Sequence, residues 1–299
     1  ELSKPLRDYS FENLGKHVNT SHLEFAPAIF GSDCTIVVTS SRDGSKGEEE
    51  FKMFGESYCD NYRFEYDSKH EGWKEIHNSK EHFDVLNTVR NDGSGVLTKD
   101  GNKFYYTICD ENTGGECAIY VAKYDGHRWH LPEKLNENIN PPDVWNAQPT
   151  LTATGDTMFF VSKRDSGYGN HDIWYSIKEK GSEEKWGKAR NMGDQINTPY
   201  IDMCPDYHEP TNSIFFSSNG QEGFGGLDIF QARNIFSGVH NLGLPFNSNR
   251  DDFYFVLGEN KGYLASNRDH EDAQGHDDIY WFNFTSHETL ITGIDRDTS

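Results

Sequence analysis

The stretch Asn191-Met192-Gly193-Asp194-Gln195-Ile196-Asn197 is one copy of a short phrase that returns along the chain. The copies at 13–19 and 241–247 keep its opening Asn, an apolar residue, Gly and a closing Asn, and two further copies are looser. A phrase that recurs every few tens of residues indicates a protein built from structural repeats. The closing asparagines of the five copies are Asn19, Asn87, Asn140, Asn197 and Asn247.

Each copy is followed by a polar turn and then by a short run of aromatic or branched residues. The clearest case is Thr98-Lys99-Asp100-Gly101-Asn102-Lys103-Phe104-Tyr105-Tyr106. Asp-Gly and Asn-rich turns before such runs are typical of β-hairpins. The five runs begin at residues 36, 104, 158, 214 and 262, which lie 17, 17, 18, 17 and 15 residues after the preceding closing Asn. Because this spacing is nearly constant, we expect insertions to fall after this strand.

A third phrase completes most units, with a Ser-x-Arg strand end, a Gly-containing loop and an Asp-apolar-aromatic strand. In the third unit Ser162-Lys163-Arg164 leads to Asp172-Ile173-Trp174. The first unit has a long insertion before Asp60, and the second unit keeps only Cys117-Ala118-Ile119-Tyr120. The three phrases predict four short strands in each unit of 50 to 68 residues, which is the size of one propeller blade.

We therefore predict an all-β fold, a five-bladed β-propeller of four-stranded antiparallel blades, with six blades as the alternative. The chain opens with a segment of the fourth-strand type and the fifth unit lacks one, so the N-terminal strand is expected to close the last blade. The propeller is predicted over residues 1–285, and residues 286–299 as a linker and the truncated start of another β-domain. The predicted blades are approximately 20–87, 88–140, 141–197, 198–247, and 248–284 completed by 9–19.

The charge balance excludes several functions. Lys and Arg total 28 and Asp and Glu total 49, so the formal net charge is −21. A chain this acidic lacks the basic surface that grips a nucleic-acid backbone, and it is repelled by anionic lipid. No apolar run approaches the roughly 20 residues that a membrane helix needs. We expect neither nucleic-acid binding nor direct membrane insertion.

Arginines recur at the ends of the second strands, and aspartates recur at the starts of the third strands. Such ends lie side by side in an antiparallel hairpin, so we expect an Arg–Asp clamp within the blade. The alternative is a ring of charges around a binding mouth. These repeat-motif residues are Arg42, Arg164, Arg268, Asp172, Asp228 and Asp278.

Two of the five cysteines stand at the mouth of one predicted hairpin. Cys109 and Cys117 bracket a polar turn that contains glycine. Cysteines in such positions lie close enough for a disulfide, and a pair of free buried thiols is the alternative. A disulfide would favour an oxidising compartment.

The insertion of the first unit places apolar and aromatic residues in a loop. Phe51, Met53 and Phe54 are the residues concerned. Exposed aromatic side chains are typical of contacts with a partner protein, so this loop is a candidate partner surface. The alternative is that the loop folds back on its own blade.

Acidic residues raise two further hypotheses. Five-bladed propellers include glycoside hydrolases, which need two carboxyl groups across a central pocket. Glu24, Asp202 and Asp252 begin equivalent strands near the channel mouth, and this equivalence favours a repeated structural role, so no catalytic residue is assigned. Calcium is considered where Asp206, Asp251 and Asp252 crowd together. No other metal and no cofactor is expected.

The phrases Ser-x-Arg, Gly-x-Gly-x-x-Asp-Ile-Tyr and Asp-Gly-x-x-aromatic resemble the PD40, or WD40-like TolB-type, propeller repeat. The Asn-Leu-Gly-x-x-Ile-Asn phrase is similar to the propeller of Bacteroidota OmpA-family envelope proteins of the type IX secretion system. The resemblance covers about residues 9 to 298, and its last part, 291–298, is similar to the start of a carboxypeptidase-regulatory-like β-domain. It implies a periplasmic, outer-membrane-associated protein whose peptidoglycan contact is made by a C-terminal domain absent from this sequence.

The sequence thus predicts a non-catalytic scaffold for protein–protein interaction in the cell envelope. The faces of a propeller are rigid platforms that carry variable loops, which suits assembly of a larger complex. The implied partners are protein components of an envelope or secretion complex. The alternatives are a five-bladed glycoside hydrolase and a propeller that binds a glycan or calcium.

Overall fold

The structure is a computed structural model that describes residues 11–47, 50–51, 56–77, 81, 83–110 and 116–284. Over these residues the chain forms five four-stranded antiparallel sheets and one separate two-stranded hairpin. Each four-stranded sheet is one blade of a ring. The prediction of an all-β, five-bladed propeller is confirmed.

Short strands build all five blades in the described part of the chain. Two 3₁₀ turns, Phe83–Leu86 and Glu209–Thr211, lie between them. In chain order the strands are β1 (Glu12–Asn13), β2 (Glu24–Ile29), β3 (Thr35–Ser40), β4 (Glu50–Phe51), β5 (Glu56–Ser57), β6 (Asp60–Asp67), β7 (Gly72–Glu75), β8 (Asn91–Leu97), β9 (Lys103–Asp110), β10 (Glu116–Lys123), β11 (Glu133–Lys134), β12 (Asn146–Leu151), β13 (Thr157–Ser162), β14 (Asp172–Ile177), β15 (Arg190–Asn191), β16 (Asp202–His208), β17 (Ser213–Ser218), β18 (Asp228–Arg233), β19 (Ser237–Asn241), β20 (Asp252–Leu257), β21 (Lys261–Ser266) and β22 (Asp278–Asn283).

The blades follow one another in sequence around a central channel. Their strand orders, from the inside outwards, are β2-β3-β6-β7, β8-β9-β10-β11, β12-β13-β14-β15, β16-β17-β18-β19 and β20-β21-β22-β1. Each inner strand contacts the inner strands of both neighbouring blades, so the five inner strands form a closed ring. The hairpin β4–β5 belongs to the insertion of the first blade.

The N-terminal strand closes this ring, as predicted. β1 pairs with β22, with Glu12 opposite Trp281 and Asn13 opposite Tyr280. The Leu14 N–H continues the pairing by donating to the Ile279 carbonyl at 3.1 Å. Without β1, the outer edge of β22 would present unpaired backbone groups to other chains. Residues 1–10 and 285–299, which include the predicted linker and further β-domain, lie outside the described residues.

The recurring closing asparagine substitutes for part of the short fourth strand. The Asn197 carboxamide accepts from the Ile173 N–H at 2.8 Å and donates to the Ile173 carbonyl at 2.9 Å, as an opposing strand would. It also donates to the Asn191 side chain at 2.8 Å. Because β15 is only two residues long, this side chain extends the pairing of the third strand. The equivalent pairs are Asn19 with Ile279, Asn140 with Ile119, Asn247 with Ile229 and Asn87 with Asn61.

Tryptophans fill the space between neighbouring blades. Trp186 packs edge-to-face on Tyr105 of the preceding blade, with ring centroids 6.1 Å apart. Trp73 packs in the same way on Tyr263 of the last blade at 6.2 Å, and Trp129 packs against the first blade. All three indole rings are buried. Burial of these large apolar surfaces holds the blades against one another.

Every inner strand carries a β-bulge at the same place. The pairing register between the first and second strands shifts once in each blade. Within each shift one non-glycine residue takes a left-handed conformation, which costs free energy and is uncommon for such residues. These residues are Ala26 (φ 50°), Ser94 (φ 49°), Gln148 (φ 57°), Cys204 (φ 52°) and Tyr254 (φ 50°).

Candidate functional site

The five bulge residues narrow the channel midway and divide it into two ends. The Ser94 and Tyr254 hydroxyls lie 2.6 Å apart, although they belong to blades two and five, which are not neighbours. The Gln148 side-chain oxygen accepts from the Cys204 N–H at 2.8 Å. We call Ala26, Ser94, Gln148, Cys204 and Tyr254 the central constriction. The upper end is the side where the inner strands begin, and the lower end is the side where they finish.

Carboxyl groups at the upper end are held by hydroxyl groups of their own repeat. Asp202 accepts from the Thr198 N–H at 2.5 Å and its hydroxyl at 2.9 Å, and from the Ser218 hydroxyl at 2.6 Å. Both carboxylate oxygens therefore have hydrogen bonds, and the side chain is buried. Asp252 makes the same contacts with Ser248 and Ser266. Glu24 makes them with Thr20 and Ser40. This shared arrangement is a structural clamp that ties the start of the inner strand to the end of the second strand.

The repeat arginines join this clamp instead of pairing with the aspartates of the third strand. Arg268 bonds Asp252 at 2.5 Å and the Phe246 carbonyl at 2.8 Å. Arg164 bonds the Asn146 side chain and the Ile139 carbonyl, both at 2.8 Å. Arg42 lies 3.6 Å from Glu24 and bonds the Val18 carbonyl at 2.5 Å. The guanidinium therefore links the loop that enters the blade to its inner strand.

The predicted Arg–Asp clamp is accordingly not what the described residues form. Ser162, not Arg164, lies opposite Asp172 in the strand register. Arg164 stands two residues beyond the strand end and is turned towards the preceding loop. Asp172 instead accepts from the N–H groups of Tyr168 at 2.5 Å and Gly169 at 3.0 Å. Asp228 and Asp278 hold their own loops through the backbone N–H groups of Phe224, Gly225, Gln274 and Gly275.

The second blade keeps only part of this polar clamp, and it has a disulfide between its second and third strands. Cys109 and Cys117 lie opposite each other in the register of β9 and β10, and their sulfur atoms are bonded. Ile108 stands opposite the inner strand where the other four blades have serine. Asp92 therefore accepts from the Thr88 N–H with one oxygen, while its other, buried oxygen has no partner. Burial raises the pKa of Asp92 to about 7.

The first blade's insertion is described only in part. Phe51 ends β4, and its side chain lies outside the described residues, as do Met53 and Phe54 entirely. The candidate partner loop therefore stays a prediction.

An aromatic surface lies at the upper end of blades three and four. Tyr168 is 51 % exposed and Tyr200 is 61 % exposed, and we call this pair the Tyr168–Tyr200 surface. The Asn170 N–H donates to the Tyr200 carbonyl at 3.0 Å, so the two loops that carry the tyrosines are joined. A Cβ at Gly169 would lie 2.4 Å from the Thr198 carbonyl oxygen, so only glycine allows this close approach of the loops.

Next to these tyrosines lies an uncharged histidine. The His171 ring packs edge-to-face on Trp145, with centroids 5.0 Å apart. Burial and the nearby Lys163 lower the pKa of His171 to about 4. Its Nδ1 is buried without a hydrogen-bond partner. The positive charge beside Trp145 is therefore that of Lys163, whose amine lies 5.3 Å from the centre of the Trp145 ring.

The lower end opens into a cavity of about 1190 Å³. It is walled by the last residues of the five inner strands and by the turns that follow them, and its inner limit is the central constriction. Ion pairs and backbone contacts order its rim. Lys99 lies 3.6 Å from Glu209 across the mouth. Asp33 accepts from the backbone N–H groups of Glu259 at 2.9 Å and Asn260 at 2.7 Å.

Asp206 is the carboxyl group deep in this cavity. Among the described residues, the Thr150 hydroxyl is its hydrogen-bond donor, at a long distance of 3.4 Å. The surrounding protein raises the pKa of Asp206 to about 7 because it replaces the water that would stabilise the charge. A strongly raised pKa in a cleft marks a candidate functional residue.

Of the three aspartates considered for calcium, the structure separates Asp206 from the other two. Asp206 lies on the lower side of the constriction, two residues beyond Cys204. Asp251 precedes β20 and Asp252 begins it at the upper end, and Asp251 accepts from the Leu227 N–H at 2.7 Å. The inner strands run through the constriction, so residues on its two sides cannot share one ion. No group of three or more His, Cys, Asp or Glu side chains within the described ranges is arranged to hold a metal ion.

Comparison with known proteins supports the fold. No protein-family model and no curated protein matches the chain. Among solved structures, a thermostable family-43 glycoside hydrolase has a TM-score of 0.58 at 10 % identity and covers 92 % of this chain and 94 % of its own. The family-43 endo-arabinanase from Bacillus licheniformis has a TM-score of 0.54 at 10 % identity and covers 91 % and 98 %. TolB from Acinetobacter baumannii has a TM-score of 0.48 at 12 % identity, covers 89 % of this chain, and is matched over 55 % of its own length.

Fold and comparisons together define the class, a five-bladed β-propeller. At these identities the likeness extends to the fold and not to a reaction or a partner. The propeller class includes enzymes, as the family-43 hydrolases show by their names. None of the helices within the described residues has the length and apolar character needed to cross a membrane.

Proposed function

We propose that this propeller is a non-catalytic scaffold that binds protein partners. The observation that carries the proposal is the state of the carboxyl groups at the upper end. Glu24, Asp202 and Asp252 are buried, and hydroxyl groups of their own repeats occupy their oxygens. A glycoside hydrolase needs one carboxyl group to give a proton and a second to act as base or nucleophile. The three carboxyl groups have the same hydrogen-bonded arrangement, so they are unsuited to act separately as acid and as base or nucleophile.

The Tyr168–Tyr200 surface is the partner-binding site of this proposal. Exposed tyrosines supply a large contact area at a low cost in conformational entropy. Tyr168 is anchored by its N–H bond to Asp172, and Tyr200 by its N–H bond to the Thr198 hydroxyl at 3.2 Å. Rigid aromatic side chains on fixed loops are typical anchors of protein interfaces.

The cell envelope is the proposed location. The Cys109–Cys117 disulfide fits an oxidising compartment such as the periplasm. The repeat phrases resemble those of OmpA-family envelope proteins, of which PorE of the type IX secretion system is an example. On this proposal the partners are outer-membrane-associated components of such an assembly, and a further domain holds peptidoglycan.

Site-specific photo-cross-linking tests the proposed surface. A photoreactive phenylalanine is placed at position 168 or 200 in the protein expressed in its native envelope, and at Ile177 as the control. Ile177 is 52 % exposed and belongs to the same blade, but it ends β14 at the lower side. We expect one discrete protein adduct from 168 and 200, absent from 177 and removed by excess purified propeller. The same adducts from all three positions, or none, would overturn the assignment of this surface.

Glycoside hydrolysis is the second candidate, because family-43 enzymes are among the structural neighbours. The release of nitrophenol from aryl arabinofuranosides and xylosides measures it directly. We expect no rate above that of the buffer. A rate that Asp202→Asn abolishes, in a variant that keeps the wild-type circular dichroism spectrum, would replace the scaffold proposal with an enzyme.

A further inference from the structure

The equivalent positions of the five inner strands show that Asp206 is exceptional. The residue that resumes pairing after the bulge is Ala28, Val96, Thr150, Asp206 or Val256, according to the blade. All five positions line the lower cavity. Four blades therefore build this part of the fold with a small side chain that carries no charge. The fold itself does not require a carboxyl group in the fourth blade.

No positive charge in the described part of the chain forms an ion pair with this carboxyl group. Thr150 is its hydrogen-bond donor, and no Lys, Arg or His of the described ranges forms an ion pair with it. The lysines that line the cavity have other partners. Lys99 lies beside Glu209, Lys103 bonds Glu184 at 2.5 Å, and Lys261 lies 3.6 Å from the centre of the Trp281 ring. Lys178 lies over the Trp186 ring at 4.8 Å.

The cavity around Asp206 is walled by strand edges that carry carbonyl acceptors as well as N–H donors. The inner strands are the edge strands of their sheets, so their inner backbone edges face the channel without a partner strand. Two bulge N–H groups are already used, since those of Ser94 and Gln148 donate to the Thr39 and Thr107 hydroxyls, both at 2.9 Å. A ligand that offers several N–H donors and a positive charge matches such a site.

We propose that the inner end of the lower cavity binds an ammonium or guanidinium group, with Asp206 as its counterion. The source is either a lysine or arginine side chain of a bound polypeptide or a free organic amine. This site is at the opposite end of the channel from the Tyr168–Tyr200 surface. It therefore goes beyond the proposed scaffold function, and it can fail while the scaffold function holds.

The charge of the bound group also explains how a carboxyl group can remain in this place. A half-buried carboxylate without a cation beside it costs free energy, and a cation that enters the cavity removes much of that cost. Binding should therefore lower the pKa of Asp206, and protonation of Asp206 should oppose binding. The charged groups that line the cavity with it are Asp33, Lys99, Asp100, Lys103, Lys178, Glu209, Glu259 and Lys261, with His208 as a further titratable group.

Titration with small probes tests the site in the purified protein. Propylammonium and propylguanidinium are the ligands, tetramethylammonium tests charge without N–H donors, and propanol tests the alkyl chain. The carbon-13 signal of the Asp206 carboxyl group, assigned by its loss in Asp206→Asn, locates binding in the wild type, and calorimetric titration measures the affinities of all variants. We expect saturable shifts with the first two probes and affinities weakened about tenfold or more in Asp206→Asn. Asp43→Asn, the same charge change at an exposed upper-end residue, should leave the affinities unchanged.

Two further arms complete the test. Asp206→Thr introduces the residue of the equivalent position in blade three, so it keeps the channel wall intact if Asp206→Asn folds poorly. Short peptides with blocked termini and one central lysine or arginine are compared in affinity with the free amines. This comparison distinguishes a polypeptide source from a small amine. Equal shifts with propanol, binding that both Asp206 variants retain, or no binding by any probe would overturn the proposal.

Discussion

Replacement of a closing asparagine should cost far more stability than replacement of its exposed neighbours. Asn197→Ala removes the bonds to both backbone groups of Ile173 and to Asn191. The Ile173 carbonyl keeps a bond from the Met192 N–H at 3.1 Å, but the Ile173 N–H loses its acceptor in a buried place. One buried unsatisfied donor costs about 1–3 kcal/mol, and each net hydrogen bond contributes about 1 kcal/mol. We expect the free energy of unfolding to fall by about 3 kcal/mol.

The same change at Asn19 has a second consequence. Asn19 makes the equivalent three contacts, with Ile279 and Asn13, but these join the start of the chain to its last blade. The loss of stability should therefore be similar, about 3 kcal/mol. In addition, Asn19→Ala should release β1 and expose the edge of β22, whereas Asn197→Ala leaves the ring closed. Protease cleavage near the N-terminus should rise in the first variant and not in the second.

Urea denaturation followed by tryptophan fluorescence measures the stability, and mass spectrometry of short digests locates the cleavage. His17→Ala and Gln195→Ala are the matched controls, because these exposed residues occupy equivalent places in the two copies of the phrase. Both controls should remain within about 0.5 kcal/mol of the wild type. Losses below about 1 kcal/mol in both asparagine variants would refute the strand-substitute role. Equal N-terminal cleavage in the two variants would refute the closing role of Asn19.

Three shorter predictions concern the clamps, the disulfide and the cavity. Arg268→Lys keeps the charge but loses the planar fork that reaches two carbonyls and Asp252, so thermal denaturation should show a loss of about 1–2 kcal/mol. Reduction of the Cys109–Cys117 disulfide, whose cysteines are eight residues apart, should cost about 2–3 kcal/mol in urea titrations, and a Cys109→Ser variant should show no further loss on reduction. The pKa of Asp206 is raised from 3.8 to about 7 by folding, so its contribution favours the folded state at low pH and is lost as the pH rises between these values. Asp206→Asn should therefore stabilise the protein by about 1–2 kcal/mol at pH 8 and have little effect at pH 4, with urea titrations at both pH values as the measurement; an equal effect at both values would contradict this reasoning.

Several features of this propeller could be predicted from the sequence because they repeat. Backbone pairing imposes the same requirements on every blade, so the closing Asn and the aromatic second strand recur in a constant register. The place of Cys109 and Cys117 at one hairpin mouth follows from local chain geometry, and so does their contact. The closure by β1 follows from a surplus strand type at one end of the chain and a missing one at the other.

The partners of the polar side chains depend on the tertiary structure. Arg164 and Asp172 flank one loop, and from the hairpin alone they should pair, yet Arg164 bonds the Ile139 carbonyl of the preceding loop and Asp172 bonds the backbone of its own loop. The partner of Arg164 is decided by the path of the loop from the adjacent blade, which local patterns do not describe. Asp206 does not join Asp251 and Asp252 in an acidic group, because the constriction lies between them.

The repeat pattern by itself predicted five blades, their strand order and the way the ring closes. Each of these follows from the order in which the same strand types recur along the chain. Only the tertiary structure decided which carboxyl groups are saturated and which one stands alone in a cavity. The physical reason is that a carboxyl group's charge state and hydrogen bonds depend on everything within a few ångströms, and around the channel those neighbours come from different blades.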